Sequence, residues 1–196
     1  MPIVVSGTMR RCRLILFVLL AVPAALAIAG VATVSAHGHA CARYGDVAPS
    51  HLNHHQARRA IHCLLNRKRA TRGLDRLGTD PRLQRAAQWH NDYMEEHRCF
   101  SHQCPGEPAL LTRLTEVNYV VGGLTRWAYG ENIAWGERAL GTPKSIVHGW
   151  MGSPAHRRNL LDPRFRDLGV GFSHGVPPSP RGNGATYTID LGVRLG

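Results

Sequence analysis

An α+β fold is predicted, with a small antiparallel sheet held between helices in a three-layer α/β/α sandwich. Three observations predict it. Apolar residues recur at helical spacing through the first two thirds of the chain. Proline-opened, Ser/Thr/Asp-capped helix starts recur at Pro81, Pro143 and Pro154. Alternating strand patterns appear only late, in "LGVGF" and "ATYTIDLGV". The chain has 196 residues, 43% of them hydrophobic, enough for one domain with its own core.

The elements follow in order. From Ala57 to about Arg72, Ile61, Leu64 and Leu65 mark a helix that Gly73 stops. "TDPRLQRAAQWHNDYMEEH" opens a second, capped by Thr79 or Asp80 with Pro81 at the first position; its buried stripe is Leu83, Ala87, His90 and Met94. "EPALLTRLTEV" is a short third helix. "TPKSIVHGWM" is a fourth, capped by Thr142, and "SPAHRRNLL" repeats the device with Ser153 as cap and His156 at the third helical position. In "LGVGF" one face packs through Leu168, Val170 and Phe172. The other face, Gly169 and Gly171, has no side chains, so something must approach it closely. This strand and "ATYTIDLGV" form an antiparallel hairpin with a long loop, and a further strand lies within Asn118–Trp135.

The N-terminus has a different character. Arg10, Arg11 and Arg13 precede an apolar run ending in small residues, the layout of a secretory signal with cleavage after Ala36. An uncleaved anchor is the rival reading, because a run of about 20 apolar residues spans a bilayer. Residues 1–36 are thus a signal peptide or anchor, 37–55 a polar His-rich arm, and 56–196 the domain. Either way the chain is secreted or extracellular. Without Cys12, four cysteines remain for an oxidising compartment. Of three possible pairings, local spacing favours Cys41–Cys63 and Cys99–Cys104, worth about 3 and 2 kcal/mol.

Charge narrows the partners. The 24 basic residues, less the three leader arginines, outnumber the 13 acids by eight. That surplus attracts an anionic cell-wall polymer or a lipid surface. Nucleic acid is excluded as a partner, since an exported chain with no basic-aromatic stripe does not fit it.

Three polar residues stand in apolar or glycine-rich surroundings: His102, Glu131 and His156. His102 lies inside the ring that a Cys99–Cys104 bond would close, either fixed there or as a solvent-facing loop residue; a Cys-His-Cys zinc site is a weaker option. Glu131, beside Asn132 in "YGENIAWG", is either a site carboxylate or a turn residue accepting backbone N–H groups. His156 sits in the positive field of a helix start, which favours the neutral imidazole that binds metal or acts as a base. Two histidines and a carboxylate are the ligand set of an open zinc site. There is no HExxH and no Gly-x-Ser-x-Gly, and no free cysteine is left for thiol chemistry. His37, His39, His51, His54 and His55 read as solvated arm residues, His90 as a hydrogen-bonded core histidine, and His97 as a neighbour of the His102 loop.

"FSH", "YGENIAWG", "WMGSPAHRRNLLDPRFRDLGVGF" and "GATYTIDLG", in this order and spacing, resemble the CAP superfamily. That is the SCP-like extracellular domain of cysteine-rich secretory proteins, antigen 5 and pathogenesis-related 1 proteins. The exported bacterial branch is the nearest match, over about Ile61–Gly192. The resemblance implies an α/β/α sandwich with a central cleft of two histidines and two glutamates, able to bind Zn2+ or another divalent cation. By motif His102, Glu131 and His156 take three of those places. The second glutamate is missing, and Ser153 stands nearest to its position. The expected function is a secreted binding protein whose cleft takes a divalent metal and an extracellular lipid, glycan or peptide. The alternative is a metal-assisted hydrolase acting on peptide or cell-wall substrates.

Overall fold

The structure, a computed structural model, describes residues 41, 43–177 and 182–195. The predicted leader and the start of the polar arm lie outside the described residues. No helix among the described residues is long and apolar enough to cross a membrane.

Helix α1 runs His54–Ala70, three residues earlier than the apolar spacing predicts. Asn53 accepts from the Gln56 N–H while the Gln56 side chain bonds back to the Asn53 N–H, so this capping box sets the start. Gly73, at φ +67°, turns the chain away beyond its end. Helix α2, Pro81–Glu96, is capped by Asp80, which accepts from the Arg82 N–H. Helix α3 is Leu110–Glu116. Helix α4, Pro143–Gly152, is capped by Thr142 through the Ser145 N–H. Helix α5 is Pro154–Leu160; Ser153 holds its cap position without making a side-chain cap bond.

The strands are β1 (Gly78–Thr79), β2 (Arg126–Glu137), β3 (Asp167–His174) and β4 (Gly184–Leu195), in the order β1-β3-β4-β2. The predicted β3–β4 hairpin is antiparallel, and β2 pairs antiparallel with β4 from Arg126↔Leu195 to Glu137↔Gly184. The two-residue β1 adds a parallel edge that the sequence pattern does not show, so the sheet is mixed. At the opposite edge lies β2.

Each face of the sheet has its own partner. Leu168, Val170, Phe172, Tyr187, Ile189 and Leu191 pack against Ile61 and Leu65 of α1 and Val147 and Trp150 of α4. The other face carries Gly169 and Gly171, and α2 covers it. A Cβ at Gly169 would lie 2.1 Å from the Leu83 carbonyl carbon, and one at Gly171 would lie 2.4 Å from the Ala87 oxygen. The close approach expected of this bare strip is therefore made by the α2 backbone, and no ligand can occupy it. Asn91 of α2 adds polar ties, donating to the Thr186 carbonyl and accepting from the Thr188 hydroxyl.

Both favoured disulfides are present, Cys41–Cys63 and Cys99–Cys104. The first fastens the polar arm, which packs more firmly than its composition predicts: Leu52, 3% exposed, joins the main core. Arg69 is fully buried and donates to the carbonyls of Asp75, Leu160, Asp162 and Phe165, tying the end of α1 to the loop between α5 and β3.

Gly171→Val should lower the chemical-denaturation stability by about 3 kcal/mol, because the added carbons force α2 off the sheet. A shift under a third of that would mean that α2 yields.

Candidate functional site

Alternation along β2 decides where its polar residues point. Glu131 faces the α2 and α3 side and Asn132 the opposite side. Glu131 is 6% exposed and lies directly across from Asp190 of β4. Above it, the fully buried Arg113 guanidinium from α3 donates to Glu131 Oε2 and to Glu107 Oε1. His90 of α2 places Nδ1 2.6 Å from Glu107 Oε1, and the Cys104 N–H donates to Glu107 Oε2 at 3.0 Å. One cation thus ties together two carboxylates that arrive on separate segments. The Cys99–Cys104 bond holds the loop that delivers Glu107.

His102 caps this cluster from outside. Its Nδ1 is 2.7 Å from Glu131 Oε1 and its side chain is 57% exposed. The Nδ1–H donates to the carboxylate and leaves Nε2 for other partners. The hydrogen bond to Glu131 raises the His102 pKa above its ordinary value of 6.5, against the opposing effect of burial. His156, on α5, behaves oppositely: burial, then the charge of His102, lowers its pKa. The neutral form expected from the helix field is thus favoured, but by burial and by the neighbouring imidazolium. The His156 carbonyl accepts from Asn132 Nδ2 at 3.1 Å, and Asn159 donates both to the Glu131 carbonyl and to Asn132 Oδ1. These amides bind α5 to β2.

The model of the cysteine-rich secretory protein family, CAP, matches residues 62–177. The chain belongs to the CAP family. It is 34% identical over 111 residues to the protein YkwD of Bacillus subtilis (strain 168), the match covering 56% of this chain and 39% of YkwD. It is also 34% identical over 108 residues to the membrane protein YlbC of the same organism, of which it spans 29%. An extracellular protein containing an SCP domain, from Bacillus anthracis str. Ames, superposes with a TM-score of 0.55 at 27% identity, covering 71% of this chain and 43% of that one. An outer surface protein from Borrelia burgdorferi gives 0.59 at 15% identity, covering 73% and 96%, and so shares the fold.

Within this CAP domain the predicted site residues have different roles. Both Glu131 oxygens are already engaged, by Arg113 and His102, so Glu131 orients an imidazole instead of facing an open ligand position. Among the described residues, no three His, Cys, Asp or Glu side chains converge into a metal-holding group. The Glu131 oxygens expected to face a divalent cation are turned to His102 and Arg113. Ser153 makes no side-chain bond to the cluster among the described residues. His97 stacks on Tyr93 at 3.9 Å and places its Nδ1 3.0 Å from the Tyr93 carbonyl oxygen, away from the His102 contact. Phe100 and Trp135, each 42% exposed, meet edge to face at 6.4 Å, on the His102 loop and on β2 respectively.

Four members of the cluster were not singled out from the sequence: His90 as more than a core residue, Glu107, Arg113 and Asp190. The signal for Asp190 was available, because it is a lone acid inside the apolar strand "TYTIDLGV", as Glu131 is in its own strand. Asp190 is fully buried, and among the described residues neither oxygen has a partner in hydrogen-bonding geometry. Burial first, then the Glu131 charge, raises its pKa well above the carboxylate range, so Asp190 is the protonated acid. His90, lowered mainly by burial, is neutral.

Two outcomes follow. In NMR titration His102 should protonate with a midpoint above 6.5, and Glu131→Gln should bring it down. The stability that this pair contributes is complete below the unfolded value of 6.5 and is lost as pH rises through the raised one. Asp190 works in the other sense, since the folded state holds a proton that the unfolded state releases near pH ~3.9. Asp190→Asn should therefore raise the thermal midpoint at pH 7, with the gain shrinking to nothing towards about pH 3.

Proposed function

We propose that this CAP-family chain is a secreted, extracellular binding protein, and that its ligand docks at His102 and His156 on either side of edge strand β2. One observation carries the reading: an exposed imidazole is held in a single orientation by a buried carboxylate, itself locked by a buried guanidinium. Such support for one exposed polar group is what a recognition site requires, since it removes the cost of ordering the group on binding. His102 offers a cationic N–H at Nε2. His156 offers a neutral imidazole that can accept. Phe100 and Trp135 add exposed rings. This set suits a glycan or peptide carrying both hydroxyl or amide donors and carbonyl or carboxylate acceptors better than it suits a lipid tail. The leader layout, the paired disulfides and the extracellular SCP protein of Bacillus anthracis support export.

A divalent cation is the second reading. A carboxylate behind a ligating histidine is a common way of fixing its tautomer. His102 through Nε2 and His156 would hold the ion, with Glu131 behind His102. When bound, a cation would polarise a carbonyl or activate a water, the chemistry that hydrolysis of peptide or cell-wall substrates requires. Glu131 and Arg113 would then hold His102 in place, and neither would act on substrate.

Soluble peptidoglycan fragments added to the labelled protein should shift the His102, His156 and Trp135 NMR signals together, and Glu131→Gln should weaken binding about tenfold. No shift with glycan or peptide fragments would overturn the binding site. Zinc calorimetry decides the second reading: one-to-one heat that disappears in His102→Ala supports it, and no heat removes it.

A further inference from the structure

The sheet edge at β2 is closed along only part of its length. In an antiparallel ladder, opposite residues exchange both backbone bonds or neither. Tyr129 lies opposite Gly192, whose carbonyl is turned to the far side of β4, where it accepts from the Arg166 N–H. Tyr129 and its alternate neighbours Trp127, Glu131 and Ile133 therefore direct their backbone groups away from β4. Further along the strand this edge is covered. Asn159 of α5 donates to the Glu131 carbonyl, and the Trp150 indole of α4 donates to the Ile133 carbonyl. The outward N–H and C=O groups of Trp127 and Tyr129 have no such partner among the described residues.

The two faces beside this open stretch differ. On one lies a groove of about 400 Å³, lined by Trp127, Ala128, Pro163, Val193 and Leu195, among others. Ala128 pairs with Val193, so both point to the same face, and Leu195, 48% exposed, continues their apolar floor. On the other face Trp127, 42% exposed, stacks on Tyr129 at 5.6 Å. The open backbone thus runs between an apolar groove and a pair of rings.

We propose that Trp127 and Tyr129 bind an extended peptide segment of another protein, which joins the sheet as a further strand alongside β2. An unpaired edge selects its occupant by chemistry, because a polypeptide repeats N–H and C=O groups at the spacing that the edge presents. The peptide residue opposite Ala128 enters the groove and is aliphatic. The residues before and after it lie over the Trp127 and Tyr129 rings, since paired residues share a face. The open run is three residues long and ends at Asn159, so edge pairing between two copies would not by itself reach the ~1,000 Å² of a stable interface. This site goes beyond the His102 and His156 reading and does not rest on it.

The test combines amide hydrogen exchange on the intact exported chain with fluorescence anisotropy of a labelled peptide, Ser-Thr-Val-Thr-Val-Thr-Ser. Alone, the Trp127 and Tyr129 amides should exchange fast while Ala128 and Gly130, bonded to β4, stay protected; the peptide should slow the first two. The fully N-methylated peptide should not bind. Trp127→Pro removes one outward N–H and leaves the β4 ladder intact. It should weaken binding about tenfold, with Ala128 and Gly130 still protected. Trp127→Ala keeps the N–H and should weaken binding less than about threefold. His102→Ala should leave binding unchanged. Failure of the peptide to bind, binding of its methylated form, equal losses from the two Trp127 variants, or loss in His102→Ala would overturn the proposal. Slow exchange at Trp127 and Tyr129 without peptide would overturn it too. Protection that grows with protein concentration would then assign the edge to a second copy, and protection that does not would assign it to another segment of this chain.

Discussion

The buried guanidinium of Arg113 is the interaction on which the site depends. It sits between Glu107 and Glu131 with no exposure of its own. Two carboxylates and one guanidinium leave one negative charge without an internal partner, and His102, when protonated, supplies the balance from the surface. Asp190 and His90 lie in the same cluster, but burial keeps both neutral. The interior therefore holds only as much charge as it can pair, which is the condition for keeping ions out of water. Because the last counter-charge is an exposed residue, the protonation of His102 is coupled to a cluster several side chains deep.

The position of β2 places this cluster at an edge of the sheet. As the edge strand, it has β4 on one side only, and its two faces separate Glu131 from Asn132. Glu131 takes up His102, while Asn132, with Asn159, takes up the carbonyl of His156. One two-residue alternation thus ties the His102 side chain to one face of the strand and the His156 backbone to the other. The same alternation in β3 has another use. Its glycines let α2 lie directly on the sheet, and this brings His90 within reach of Glu107.

An internal cation at this place changes what the histidines can do. A metal held by the full family tetrad would draw on two glutamates. Here the second glutamate is absent from the α4–α5 junction, and Glu131 is engaged by Arg113. The chain spans 39% of YkwD and 29% of YlbC, well under two thirds of either Bacillus subtilis relative.

Much of the fold was legible because its signals are local. Thr142-Pro143, Asp80-Pro81 and the alternation in "LGVGF" each specify an element from a few adjacent residues. Spacing also favoured the correct disulfide pairs. His102, Glu131 and His156 stood out as polar residues in unlikely surroundings, and the family motifs gave them their order. Arg113 did not stand out, because an arginine on a short amphipathic helix looks the same whether it faces solvent or two buried acids. The sequence by itself determined the helices and the hairpin. Only the tertiary structure decided that Glu131 is shared between Arg113 and His102, that α2 fills the glycine strip, and that Asp190 keeps its proton. Each of these depends on how close residues from distant segments come once packed, and on how much water remains between them, which no local pattern records.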